Sequence, residues 1–314
     1  MNFEQFKTKH LKKEVIEFPN KIVDKPFLSI IIQCYNQVEM IECCLENILK
    51  QNIKSEYEIL LGDDQSTDGT REICIKYAEK YPTRVRLFLH NRENNISIDG
   101  RPTGRFNFLY NLFNARGTLI ALCEGDDYWT WTGKLQNQID FLDHNPDCLL
   151  CYHKVNKVQS QGVFTGKNHV QYNTPVVFNG KELFSQYIPS LSVVFRNNHQ
   201  LYPDEFIKAP HADLLLFSLL ISHGQFADMG IKSGVRRIHS SGIYSGLKVK
   251  DKLVRMIKTR VVISNTPEVS KDIQDAAIKS ISQKQWKLAK SLLKKGKLLE
   301  LVDLVKSFKN QITE

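Results

Sequence analysis

The chain has 314 residues, 42% of them hydrophobic, and a formal net charge of +9. That length suits one large α/β domain, with or without an appendage. No apolar stretch approaches the roughly 18 residues that indicate a transmembrane helix, and the N-terminus lacks the apolar core of a secretory signal. We therefore expect a cytoplasmic protein rather than a membrane-spanning or secreted one.

The hydrophobic pattern alternates between strands and helices as far as residue 123. Residues 1–26 indicate a short polar helix and a linker. The alternation that follows predicts a mostly parallel sheet with helices on both faces, which is an α/β fold. The predicted strands are 27–35, 57–62, 85–90 and 118–123, and the predicted helices are 39–52, 71–81 and about 105–116.

Polar loops follow three of these strands: YNQ after the first, DDQSTDGT after the second and EGDDYW after the fourth. Ligands bind outside the carboxyl ends of strands in open α/β sheets, so we expect these loops to meet at one edge. The third loop places Glu124, Asp126 and Asp127 close together. Such carboxylates repel one another and indicate either a solvated turn or a cation site. The second acidic loop at the same edge favours the cation site.

The sequence contains no glycine-rich phosphate-binding loop. The segment after the first strand reads QCYNQVEM, without GxGxxG, and neither GxxxxGKS nor GxxxxGKT occurs. This argues against a dinucleotide-binding protein, and against a nucleotidyltransferase, for which we would expect a basic glycine-rich loop. Carboxylates can instead hold a diphosphate through a divalent metal ion.

Three segments, LSIIIQCYN, EILLGDDQSTDGT and GTLIALCEGDDYWTWTGKLQNQIDFL, resemble in order and spacing the core of family 2 glycosyltransferases of the bacterial surface-glycan type. The resemblance implies the GT-A fold. It is clear over about residues 27–155, the expected nucleotide-sugar-binding half, and weaker over the expected acceptor-binding half at 156–247. Residues 248–314 would be a basic helical C-terminal extension. Gln33 and Glu124 depart from the residues usual in the family.

The resemblance also implies roles for the loop residues. Gln33, Tyr35 and Asp64 would bind the nucleotide, with Tyr35 near the base and Asp64 accepting hydrogen bonds from the base or ribose. Asp126 would contribute to the same site. The metal ligands would be Glu124, Asp126 and Asp127, and their hard carboxylate oxygens suit Mn²⁺ or Mg²⁺.

The second half resembles the family's acceptor side. Segment 190–198 matches its strand, and Asp213 stands at the position of its catalytic base, before an apolar helix at 214–223. An inverting transfer needs a carboxylate to take the acceptor proton, whereas the alternative is that Asp213 only caps the helix. Arg237 and His239 match an Arg-x-His segment. They would hold the diphosphate and complete the metal shell, with ordinary surface chemistry as the alternative.

The C-terminal extension carries the charge. From Lys248 onward there are 16 Lys+Arg and 7 Asp+Glu, so the preceding part is formally neutral. A basic helical tail indicates either a solvated face or an anionic partner, and we expect the inner face of the cell membrane rather than nucleic acid. The extension also carries two apolar stripes, one that includes Ile281 and Trp286 and one at Leu298–Phe308. These stripes predict packing on the body or on a second copy of the chain.

The seven cysteines fall mostly in apolar runs and lack the spacing of a disulfide framework. We expect them to be reduced and buried. Cys148 and Cys151 form a single CxxC without the second pair that a zinc site would need, so this pair does not predict a metal or redox centre.

Together these features predict a metal-dependent, inverting glycosyltransferase for hexoses or N-acetylhexosamines. The donor would be a nucleotide diphosphate sugar, in particular a UDP-sugar, and the acceptor a glycan or lipid-linked hydroxyl in polysaccharide biosynthesis. The alternative is a non-catalytic glycan- or nucleotide-binding module derived from such an enzyme. Loss of the metal carboxylates or of the base would favour that alternative, and all of them are present.

Overall fold

The computed structural model describes residues 1–159, 162, 164–197, 202–239 and 246–293. Within these residues, one ten-stranded sheet runs through the body and helices cover both of its faces. The predicted α/β class, with a largely parallel sheet and flanking helices, is confirmed.

Every strand and helix predicted through residue 123 is present, with bounds that differ by a few residues. The strands are β1 (Ile16–Glu17), β2 (Leu28–Cys34), β3 (Tyr57–Asp63), β4 (Val85–Leu89), β5 (Ser97–Ile98), β6 (Arg101–Pro102), β7 (Leu119–Glu124), β8 (Cys148–Gln159), β9 (His169–Gln171), β10 (Val176–Phe178), β11 (Val194–Arg196) and β12 (Gln225–Ile238). The helices are α1 (Phe3–His10), α2 (Ile41–Leu49), α3 (Thr70–Lys80), α4 (Arg105–Asn114), α5 (Lys134–His144), α6 (Ala212–Ile221), α7 (Val249–Ser264) and α8 (Lys271–Leu293).

The large sheet has the strand order β1-β4-β3-β2-β7-β11-β8-β12-β10, and β9 pairs with β12. β4, β3, β2 and β7 are parallel neighbours, as predicted. β11 is antiparallel to both β7 and β8, between which it lies, and β12 is parallel to β8. As a result, the two predicted halves share one sheet, and the carboxyl ends of β2, β3, β7 and β12 lie at the same edge.

Alternate strand residues supply two separate cores. Ile31 belongs to the core beneath α1, α4 and α6, whereas Ile30 and Ile32 belong to the core beneath α2, α3 and α5. This follows from the strand geometry, because successive side chains point to opposite faces of the sheet. All seven cysteines are free, and all but Cys43 are buried, as expected.

One close helix–strand contact positions the edge of the sheet. Gly62, near the end of β3, accepts a hydrogen bond from Asn107 Nδ2 of α4 at 2.8 Å. A Cβ at residue 62 would lie only 1.9 Å from Asn107 Oδ1, so this approach requires glycine. The contact fixes α4 directly beneath the acidic loop that follows β3.

The C-terminal extension packs on the body over its described part. Ile263 of α7 and Ile273 and Ala277 of α8 belong to the core beneath α6. Of the predicted stripe, Ile281 is buried whereas Trp286 is 64% exposed. The second stripe, at Leu298–Phe308, lies outside the described residues. In the described part of the chain, no helix combines the length and the apolar character needed to cross a membrane.

A neutral histidine lies in the core beside this edge. His90 is 2% exposed and packs against the rings of Phe88, Phe106 and Tyr110. Neither of its ring nitrogens has a hydrogen-bond partner in the described part of the chain. Burial, together with a smaller effect of the Arg71 charge, lowers the pKa of His90 to about 3. The unfolded chain therefore binds a proton that the folded chain excludes.

We predict that His90→Phe makes the fold less sensitive to acid. The His90 contribution is fully present above the unfolded pKa of about 6.5 and is lost as pH falls toward the folded pKa. Between pH 7 and pH 5, the wild type should lose about 2 kcal/mol more of its free energy of unfolding than the variant. Denaturant unfolding at both pH values measures this difference.

The exposed His144, at the end of α5, provides the control. His144→Gln should follow the wild type at both pH values. Equal acid sensitivity of His90→Phe and the wild type would show that His90 takes up protons in the folded state.

Candidate active site

A cleft of about 750 Å³ opens at the edge of the sheet where β2, β3 and β7 end. The structure brings most of the predicted site residues into this one cleft. Its walls include Gln33, Tyr35, Asp64, Glu124, Asp126, Asp213 and His239. Asp127 and Arg237 lie outside this set of lining residues, as far as the described chain extends.

The nucleotide end of the cleft is built around Tyr35 and Asp64. Tyr35 is 40% exposed, and the guanidinium of Arg92 stacks on its ring at 3.8 Å. Arg92 Nη1 donates to Asp64 Oδ2 at 3.0 Å, and Asn95 Nδ2 donates to the same oxygen at 3.1 Å. Asp64 Oδ1 is buried and accepts no hydrogen bond from any described residue. This oxygen is therefore available to a hydroxyl or N–H group of a ligand.

The first two carboxylates of the DDQSTDGT loop, Asp63 and Asp64, differ in role. Burial raises the pKa of Asp64 to about 6, although the hydrogen bond from Asn95 and the charge of Arg92 oppose the shift. Asp63 is fully buried instead, where it accepts hydrogen bonds from Ser66 N and from Arg71 Nε. Asp63 therefore holds the loop, and Asp64 faces the cleft.

Glu124 ends β7 inside the cleft. Its Oε1 accepts a hydrogen bond from Ser190 Oγ, whereas its buried Oε2 has no partner among the described residues. Burial and, to a smaller extent, the charge of Asp126 raise the pKa of Glu124 to about 7, although the hydrogen bond from Ser190 opposes the shift. A cation beside Glu124 would lower that pKa again.

Asp126 pairs with His239 across the cleft wall. Gly125, between Glu124 and Asp126, lets the turn pass close to the loop before α2, since a Cβ there would lie 2.4 Å from Gln37 Oε1. Asp126 Oδ2 accepts a hydrogen bond from His239 Nε2 at 2.7 Å. This bond raises the pKa of His239, although burial lowers it. The pair therefore presents a carboxylate and an imidazole to the same space.

Asp127 points the other way, into the body. It is 4% exposed, and its Oδ1 accepts a hydrogen bond from the backbone N–H of Arg237 at 2.8 Å. Burial and the charges of Asp126 and Glu124 hold the pKa of Asp127 well above its usual range. Arg237 Nη1 donates to the backbone oxygen of Asp126 at 2.9 Å. These contacts join the acidic turn to the end of β12.

The side chains in this part of the cleft fit a hard divalent cation. Glu124 and Asp126 offer carboxylate oxygens, and the imidazole of His239 lies beside them, bonded to Asp126. The unpartnered Oε2 of Glu124 is a buried acceptor that a cation would satisfy. Within the described residues, no three His, Cys, Asp or Glu side chains already surround one point. Mg²⁺ sites use one or two carboxylates together with substrate phosphates, and Glu124 and Asp126 would supply the carboxylates here.

Asp213 lies at the other end of the cleft, in the first turn of α6. The N-cap of this helix is His211, so Asp213 does not occupy the cap position itself. Its Oδ1 accepts a hydrogen bond from Leu214 N at 2.8 Å, and the residue also lines the cleft. Burial is the main cause of the raised pKa of Glu124, but the charge of Asp213 adds to it. The two ends of the cleft therefore share one electrostatic environment.

The cleft residues that were not identified in the sequence include Arg92, Ser190, Arg236, Arg255 and Arg260. Arg92 had a usable signal, because it follows β4 at the same edge as the acidic loops. Ser190 and Arg255 have no local signal, since their place in the cleft depends on contacts with distant parts of the chain.

Residues 29–223, well over half of the chain, match the Glycosyl transferase family 2 profile, so the protein belongs to glycosyl transferase family 2. It is 23% identical over 253 residues to the poly(ribitol-phosphate) beta-N-acetylglucosaminyltransferase TarS of Staphylococcus aureus, a match that covers 78% of this chain and 42% of TarS. The chain spans less than half of the length of the curated relatives that it matches.

Two solved structures show the same architecture. Residues 1–349 of S. aureus TarS in complex with UDP-GlcNAc align with a TM-score of 0.56 and 18% identity, covering 83% of this chain and 72% of that one. A Pyrobaculum calidifontis mannosyltransferase in complex with GDP-Man and Mn²⁺ aligns with a TM-score of 0.50 and 16% identity, covering 97% of this chain and 88% of that one. These similarities confirm the predicted GT-A fold.

The opposite orientations of Asp126 and Asp127 lead to a prediction about stability. Asp127→Ala removes the acceptor of a buried backbone N–H and should lower the free energy of unfolding by about 1–3 kcal/mol. Asp127→Asn keeps an acceptor oxygen and should recover most of that loss. Denaturant unfolding measures both variants. Asp126→Ala, on the cleft side, is the matched control and should lose less; equal losses at the two positions would contradict the assignment.

Proposed function

We propose that the protein is a metal-dependent, inverting glycosyltransferase that moves a sugar from a UDP-sugar to a hydroxyl group of a glycan or lipid-linked acceptor. The observation that carries this proposal is the single cleft that holds both the acidic turn after β7 and Asp213 of α6. One end offers groups for a nucleotide diphosphate, and the other offers a carboxylate for an acceptor.

The donor end provides matched contacts for a nucleotide. Tyr35 offers an aromatic face near the base, and Gln33 lies beside it. Asp64 Oδ1 is free to accept a hydrogen bond from the base or ribose. The UDP-GlcNAc bound by TarS supports a UDP-sugar as the donor. Arg237 would act on the diphosphate site indirectly, by holding Asp126, while Arg236 lines the cleft itself.

Asp126, with Glu124 and His239, would hold Mn²⁺ or Mg²⁺ at the diphosphate. Bound there, the cation would neutralise the charge that develops on the leaving diphosphate. The Mn²⁺ present in the mannosyltransferase neighbour supports this choice of metal. Asp127 would support the site from behind, through its bond to the backbone of Arg237.

Asp213 would serve as the general base. Its carboxylate would accept the proton of the acceptor hydroxyl as that oxygen forms a bond to the anomeric carbon of the sugar. The bond from that carbon to the diphosphate oxygen breaks, and its electrons leave with UDP. A single displacement of this kind inverts the anomeric configuration.

We further propose that the enzyme works in polysaccharide biosynthesis at the cytoplasmic face of the membrane. Support comes from the basic C-terminal helices and from Trp286, whose exposed ring has Lys290 Nζ at 5.1 Å. An exposed aromatic ring next to lysines suits an anionic lipid surface. A second copy of the chain is the alternative partner for this face.

Donor binding should depend on the metal. We expect calorimetry to show that UDP binds in Mn²⁺ or Mg²⁺ and at least about tenfold more weakly in EDTA, since the diphosphate then faces carboxylates without a cation. Asp126→Asn should bind weakly in both conditions, whereas Asp143→Asn, an exposed carboxylate of α5, should behave as the wild type. Equal UDP affinity with and without metal would contradict this part of the proposal.

Transfer should depend on Asp213 much more than donor binding does. Asp213→Asn can still accept the hydrogen bond from Leu214 N, so we expect normal folding and UDP affinity. The turnover of UDP-GlcNAc or UDP-glucose, measured as the release of UDP, should fall roughly 100-fold or more. Asp204→Asn, an exposed carboxylate paired with Lys9, is the control. Near wild-type turnover of Asp213→Asn would mean that Asp213 only supports the helix.

A further inference from the structure

The acceptor end of the cleft carries an arginine without a partner. Arg255 of α7 is 8% exposed and lines the cleft. Among the described residues, nothing accepts a hydrogen bond from its guanidinium or forms an ion pair with it. Its guanidinium nitrogens are not fully buried, so a ligand in the cleft can reach them.

The other arginines of the cleft are engaged by the protein. Arg92 is paired with Asp64, and Arg236 Nη1 donates to the hydroxyl of Tyr187 at 2.7 Å. Arg260 Nε donates to Ser280 Oγ at 2.8 Å. Arg255 is thus the cleft arginine whose guanidinium donors are left for a ligand.

The position of Arg255 is fixed by the docking of α7 on the start of α6. Thr259 Oγ1, four residues later on the same helix face, lies 2.9 Å from His211 Nδ1 and accepts a hydrogen bond from His211 N at 3.1 Å. His211 precedes Asp213 by two residues. Arg255 therefore lies on the face of α7 that is turned toward the proposed base.

The charge balance at this end of the cleft is positive. Asp213 is the carboxylate of this wall, and the charges of Asp213, Arg255, Arg260 and the buried Arg105 all act on the neighbouring His211. Burial lowers the pKa of Arg105 to about 10, the charge of Asp213 raises it, and the charge of Arg255 lowers it further. An anionic group placed at Arg255 would relieve this repulsion.

On this basis we infer that the acceptor carries a phosphate group next to the hydroxyl that receives the sugar, and that Arg255 binds this phosphate. The planar guanidinium matches phosphate oxygens with two parallel hydrogen bonds. Leu214, Phe217 and Met256 line the same end of the cleft, so the phosphate could be borne by an apolar chain or by a polyol. That the phosphate belongs to an acceptor rests on the proposed function, whereas the existence of an anion site at Arg255 does not.

The test uses the full chain with Mn²⁺ and UDP, and glycerol 1-phosphate, decyl phosphate and glycerol as probes. Calorimetry should show binding of the two phosphates and none of glycerol. Arg255→Gln should weaken phosphate binding roughly tenfold or more, because charge-assisted hydrogen bonds are lost. UDP affinity should not change. Tighter binding of decyl phosphate would indicate a lipid-borne acceptor, and tighter binding of glycerol 1-phosphate a polyol phosphate.

Lys258→Gln removes one charge from the same helix outside the cleft, where Lys258 pairs with Asp99, and should bind all probes as the wild type does. Arg255→Gln should melt no lower than the wild type, since no side-chain hydrogen bond or ion pair of the described chain is lost; an unchanged melting temperature shows that the variant folds.

Unchanged phosphate affinity in Arg255→Gln, or a loss of UDP affinity instead, would overturn the inference, because Arg255 would then bind no ligand or would serve the donor. Failure of the proposed function would look different: UDP would not bind the wild type, while phosphate would still bind through Arg255.

Discussion

The site depends on the junction between the acidic turn after β7 and the end of β12. Two adjacent carboxylates cannot both face one small space without strong repulsion, and the turn separates them. Asp126 faces the cleft and pairs with His239, while Asp127 faces inward and accepts from the backbone N–H of Arg237. Tyr128 adds a backbone bridge to Val235. The turn is therefore held by hydrogen bonds to one strand that lies more than 100 residues later.

The mixed directions in the sheet supply the remaining walls. β11 is inserted antiparallel to β7, and the turn before it brings Ser190 against Glu124. β12 is parallel to its neighbour β8 and therefore runs in the same direction as β7, so the carboxyl end of β12 lies at the same edge of the sheet. The extension contributes α7, which closes the acceptor end by contact with His211. A parallel sheet of the first four large strands alone would leave the cleft open on this side.

The electrostatics of the cleft change from one end to the other. At the donor end, burial raises the pKa values of Asp64 and Glu124, and a cation bound beside Glu124 would lower its pKa again. Guanidinium groups dominate the acceptor end. Between them, Arg92 already stacks on Tyr35, so a nucleobase would use the opposite face of the ring or displace the guanidinium. Such separation of charge orients a donor whose diphosphate is held by metal and an acceptor that is itself anionic.

The sequence by itself determined the order of strands and helices through residue 123 and the three loops that meet at the sheet edge. These features follow from local hydrophobic period and from the rule that parallel strands end at one edge. The sequence also identified Asp213 as a candidate base, through a family resemblance. Only the tertiary structure decided which way Asp126 and Asp127 point, and that Ser190 and Arg255 reach the cleft. The contacts that decide this join residues 48 to 113 positions apart, and such pairings leave no trace in local periodicity.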